Sequence, residues 1–165
     1  MNAPAQAEDQ EATESSDLDA IRGELLALYA ELDQTVAAHG PNCELSGRCC
    51  RFKEHGHTLF LSAPEAALLL ADAPEPIRQL DDGQTCPWQD HHGRCTARGA
   101  RPLGCRVYFC DPTFWDLAPQ LSEEFLTRLK QLAKRHHWPW NYAPLHRHLN
   151  QAKIEPSHPR RSLFS

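Results

Sequence analysis

At 165 residues the chain has room for one ordinary domain, and 41% hydrophobic against 24% charged residues is a globular mixture, which leaves little material for a second core. A net charge of −5 gives no general attraction to nucleic acid. There is no apolar run of about eighteen residues to cross a membrane, and no positive start followed by an apolar stretch, so the chain reads as cytoplasmic.

Residues 1–16 carry Glu8, Asp9, Glu11 and Glu14 and too few apolar groups to offset ordering entropy, so a disordered acidic tail is expected there. Leu18, Ile21, Leu25, Leu28, Tyr29, Leu32 and Val36 then recur at spacings of three and four. That stripe predicts a helix of about 22 residues, capped at Ser16 or Asp17 and stopped by Gly40-Pro41. A first cysteine knot follows, Cys43 to Cys49-Cys50-Arg51, in which Gly47 lets the loop fold back on itself. Thr58 to Leu61 reads as a short extended piece, and Ser62-Ala63-Pro64-Glu65 as a capped helix start with Glu65 at the capping-box position. That helix should end before Pro74.

Beyond the turn at Asp81-Asp82-Gly83 lies a second cysteine stretch: Cys86-Pro87-Trp88, a tight loop at Asp90 to Gly93, Cys95, and then Arg101-Pro102 ahead of Cys105 and Cys110. Ser122-Glu123-Glu124 is expected to cap a helix carrying Phe125, Leu126, Leu129, Leu132 and Ala133 and ending near Trp138-Pro139. Trp138-Pro139-Trp140 reads as a packing anchor, and His91-His92, His136-His137, His146 and His148 as solvated rather than as a second metal site. A last short helix over 145–152 precedes a C-terminal tail at 153–165. The fold expected is mainly α, a small single domain over 17–152 with an irregular, metal-stapled cysteine centre between helices.

All seven cysteines fall in those two stretches. A reducing compartment favours metal binding over disulfides for such a pattern, and an odd count leaves one thiol over in any all-disulfide scheme. Ligating cysteines need positive charge nearby to hold the thiolate. Arg48, Arg51, Arg94, Arg98, Arg101 and Arg106, six of thirteen arginines, lie within four residues of a cysteine. Only Cys105 and Cys110, as Cys-x4-Cys, approach the knuckle spacing of zinc sites. That spacing, the Cys86-Pro87 pair and the lack of histidine at ligand spacing lean toward an all-sulfur iron–sulfur site.

The arrangement Cys43-x2-Ser46-x2-Cys49-Cys50, followed by Cys86-Pro87, Gly93-x-Cys95 and Arg101-Pro102-x2-Cys105-Arg106, resembles the CxxCxxCC zinc- or iron-chelating family, the YkgJ-like cysteine-cluster proteins of bacteria. The likeness spans about residues 43–110. It implies a cysteine-cluster protein holding an iron–sulfur cluster or zinc through Cys43, Cys49, Cys50, Cys86, Cys95 and Cys105. Ser46 stands where the family has its second cysteine, and a hydroxyl is a poor ligand for a soft metal. Cys110 lies outside the pattern and reads either as a buried apolar residue or as a substitute for the ligand that Ser46 replaces.

Three functions are carried forward. The first is a metal-cluster protein with a redox role. The second is a structural zinc site in an interaction module, whose basic C-terminal helix meets an acidic protein partner. The third is methyl transfer, by analogy with flagellin lysine methylase, a longer relative within the same resemblance. No substrate is legible, and neither nucleic acid nor a membrane is expected as a partner.

Overall fold

The computed structural model describes residues 4–79 and 83–152, with side chains from Ser16 onward. The expected tail at 153–165 and the Asp81-Asp82 part of the turn lie outside the described residues. The chain is a small, mainly helical domain. Helix α1 spans Pro4–His39, β1 Phe60–Ser62, α2 Ala63–Asp72, α3 Leu103–Arg106, α4 Leu117–Arg135, β2 Tyr142–Pro144 and α5 Leu145–Gln151. Strands β1 and β2 pair antiparallel, with Leu61 opposite Ala143.

All seven residues of the expected α1 stripe are buried, and Gly40 (φ 61°) ends the helix in the left-handed region. The helix begins at Pro4, ahead of the cap expected at Ser16 or Asp17. Ala, Glu and Gln dominate that extension, and once a nucleus is packed, propagation through such residues costs little. Helix α4 also starts early, at Leu117 instead of Ser122. Pro119 falls in its first turn, where a missing N–H breaks no helical bond, and Leu117 and Ala118 pack against the core. Its other end is as expected: His137 (φ 58°) turns the chain, and the Trp138 N–H closes on the Ala133 carbonyl at 2.9 Å.

The two long helices pack directly on one another, with Leu25, Leu32, Phe125, Leu129 and Leu132 in a shared core, and Trp138 and Trp140 anchored against it. Arg128 pairs with Glu31, and Arg135 and His136 pair with Glu24 along the seam. The basic residues of α4 expected to meet an acidic partner therefore include two that are engaged within the chain. The cysteine region was expected between the two long helices. It instead joins a second core, formed with Leu59 and Leu61 of the β1 segment, Ala66 and Leu69 of α2, and Leu145 and Leu149 of α5.

Glu65 ties the two cores together. It completes the capping box of α2 by accepting from the Ser62 N–H and hydroxyl, both at 2.9 Å. It also accepts from the Tyr29 hydroxyl of α1 at 3.0 Å and the Leu103 N–H of α3 at 2.7 Å. A carboxylate that is 1% exposed is tolerable only because these donors replace its water.

Candidate metal centre

The first knot is folded by Gly47, whose φ of 72° lies in the region glycine enters without penalty. A Cβ there would collide with the Gly93 carbonyl oxygen and the Gln89 amide. The buried Gln89 side chain donates to both the Gly47 and Gly93 carbonyls, at 3.0 and 3.1 Å, and so clasps the first knot to the tip of the second loop. The loop itself closes as expected: the Asp90 carboxylate accepts the His92 and Arg94 N–H groups, and Gln89 bridges to Cys95. A backbone bond of 2.7 Å from the Cys86 N–H to the Cys50 carbonyl joins the two stretches again. The Trp88 indole donates to the Pro74 carbonyl at 2.7 Å, fastening the stretch to the end of α2.

Cys105 arrives on α3, a single turn that could not hold its position alone. Glu65 caps it at Leu103, and the buried Arg106 guanidinium locks it from the other end. Arg106 bonds Asp33 at 2.6 Å and the Arg101 and Gly99 carbonyls, and it lies 4.2 Å over the Tyr29 ring.

These constraints gather five thiols from four segments. Cys49 and Cys50 stand with sulfurs 3.9 Å apart. The contact with Cys49, then the nearby thiols of Cys86 and Cys95 and burial, drive the ionisation of Cys50 strongly upward. The same contact lowers Cys49 to about 7, with further help from Arg101. Cys95 is lowered to about 6 by the nearby Cys50 thiol, then by the Ala97 N–H and by Arg101 and Arg98. Burial pushes Cys105 well up, and the neighbouring Cys86, Cys49 and Cys95 add to that. In these shifts, mutually repelling thiols are crowded together and partly relieved by arginine.

All seven cysteines line one cavity of about 500 Å³, walled mainly by apolar groups such as Leu59, Leu69, Trp88 and Leu145. Arg94, Arg98 and Arg101 line it too. Arg48, Arg51 and Arg106, expected beside the thiols, do not: Arg51 pairs with Glu54 and the Ser46 carbonyl, and Arg106 serves α3. Cys43 is exposed at the cavity's edge and lies outside the second core. Cys110 is half-buried on the cavity wall, its sulfur 3.7 Å from the Ser46 hydroxyl, a more exposed place than the buried apolar one expected.

The donor set suits a soft metal, since four thiolates complete either a zinc or a four-iron site and five are gathered. Among the described residues no three His, Cys, Asp or Glu side chains already stand close enough to hold an ion. Histidine contributes no donor to the cavity. His148, expected at the surface, is buried with Nε2 2.8 Å from the Leu61 carbonyl, and the His91 and His92 rings lie side by side, tilted, at the exposed loop tip.

The sequence marks neither Glu65 nor Gln89 as a support of the site, and Arg106, expected beside the thiols as a compensating charge, braces α3 instead. Glu65 had a local signal, its capping-box position, but nothing nearby in the chain marks it as the partner of Tyr29 and Leu103. No helix among the described residues is long and apolar enough to cross a membrane. No family model, curated protein or solved structure matches the chain.

Proposed function

We propose that this protein is a cytoplasmic cysteine-cluster protein that holds an iron–sulfur cluster and serves a redox role. The supporting observation is the convergence of Cys49, Cys50, Cys86, Cys95 and Cys105, from four segments, on one largely apolar cavity flanked by Arg98 and Arg101. When bound, an iron–sulfur cluster supplies one-electron transfer. The chain's own residues would set its environment. Leu59, Leu69, Trp88 and Leu145 keep water from the sulfurs, and Arg98 and Arg101 offset the negative charge of thiolate ligation. Cys49 and Cys95, already lowered toward neutral pH, would be the thiols most readily ionised to hold a metal.

Anaerobic purification with iron, sulfide and zinc analysis tests this reading. Expected are iron and acid-labile sulfide in comparable amounts, with a broad visible absorption near ~400 nm that bleaches on reduction. Stoichiometric zinc with a colourless protein would replace the redox reading by the structural zinc module. Protein that binds neither metal would remove both.

A further inference from the structure

The seven thiols fall into two groups. Cys49, Cys50, Cys86, Cys95 and Cys105 belong to or pack against the second core, whereas Cys43 and Cys110 lie outside it, at the edge and on the wall of the same cavity. The segments bearing these two are strapped together twice. The Asn42 N–H donates to the Asp111 carboxylate at 2.9 Å, and the Ser46 hydroxyl meets the Cys110 sulfur at 3.7 Å. Each strap involves a residue next to, or three from, one of the two cysteines, although 67 positions separate Cys43 from Cys110 in the chain. Adjacent Cα atoms are about 3.8 Å apart, and a disulfide takes a Cα separation of about 4.4–6.8 Å. Residues 40–47 have no regular structure and turn through Leu45 and Gly47 at positive φ, so a local shift of this loop can bring Cys43 onto Cys110.

We propose that Cys43 and Cys110 form a reversible disulfide across the edge of the cavity, made by exchange with a low-molecular-weight disulfide such as oxidised glutathione. Cys43 is the exposed member of two free thiols and reacts first. Its thiolate attacks one glutathione sulfur, the glutathione S–S bond breaks, and one glutathione thiol leaves with the proton. The Cys110 thiolate then attacks the Cys43 sulfur of the mixed disulfide and expels the second glutathione. The protein loses two protons and two electrons, and one glutathione disulfide becomes two thiols. The Asp111 strap holds Cys110 in reach for that second step. The bond ties the 40–47 loop over the inner thiols, and its formation does not depend on which metal they hold.

The test uses the full chain as purified anaerobically, incubated with oxidised glutathione, blocked with N-ethylmaleimide, digested without reduction and read by mass spectrometry, with metal content followed in parallel. The expected product is a Cys43–Cys110 linked peptide that disappears on adding dithiothreitol. Asp111→Ala should slow its formation severalfold while leaving glutathione addition to Cys43 unchanged. The proposal fails if Cys43 accumulates as a glutathione adduct while Cys110 stays alkylatable, or if either residue links instead to one of the inner five. It also fails if Cys43 resists glutathione until metal is removed, since Cys43 would then be a ligand. Metal loss or retention in the parallel assay bears on the proposed function and not on the disulfide.

Discussion

The helical half and the cysteine half of this domain are held by different means. In the first, α1 and α4 present continuous apolar faces to each other, and Ile21, Leu25, Leu32 and Leu129 are fully buried without any special chemistry. In the second, the elements that carry the cysteines are short: a 3₁₀ turn at Arg48–Cys50 and the four-residue α3. It is assembled by long-range polar bonds through Gln89, Trp88, Arg106 and Glu65. Two cysteines stand in its core where the helical half has leucine. The contrast suggests that the helical half is the scaffold, while the cysteine half reaches its final packing when its thiols are satisfied.

The largest effect should come from Cys50→Ser, because Cys50 touches Cys49 and is buried in the core against which Cys49, Cys95 and Cys105 pack. Near-complete loss of bound metal is expected, with loss of tertiary order in the cysteine half. Hydrogen exchange should show α1 and α4 still protected; exchange lost equally in both halves would erase the distinction between them. Phe125→Ala acts on the other side, removing a fully buried ring from the helical core at a cost of about 3–5 kcal/mol. Below its melting temperature this variant should bind metal with the wild-type stoichiometry.

Glu65→Ala strikes the joint. It strands the Tyr29 hydroxyl and the Leu103 N–H, at roughly 1–3 kcal/mol for each buried donor left unpaired. Because α3 is released, metal affinity should fall together with stability, a coupling that Phe125→Ala lacks. The smallest effect belongs to the seam pairs. Arg128 holds the Glu31 carboxyl below its ordinary range, and His136 with Arg135 does the same for Glu24. A lowered folded-state pKa means that the stabilisation is present above the unfolded value and lost as the pH falls through the folded one. These carboxylates are fully exposed, so Arg128→Ala should shift the melting temperature only slightly at pH 7 and still less once the pH is well below about 4, where only its stacking over Phe125 is left.

Much of this domain was legible from local pattern. The 3.6-residue spacing from Leu18 to Val36 marked the buried face of α1, Ser62 to Glu65 marked the start of α2, and Asp90 to Gly93 marked the loop. These features are decided within a few residues of themselves, by periodicity and capping, so the sequence alone determines them. Spacing also placed all seven cysteines in two stretches and made a common site the natural reading. Tertiary structure alone decided which thiols gather. Cys43 and the Cys49-Cys50 pair lie in one stretch, yet Cys43 is left exposed while the pair is turned inward, with Gly47 reversing the chain between them to meet Gly93 and Gln89. It also decided that Glu65 is a joint as well as a cap, and that Cys110 faces Ser46 from the far end of the motif. Contacts such as these join residues dozens of positions apart, and their geometry depends on how α1, α2 and α3 pack, which no local spacing encodes.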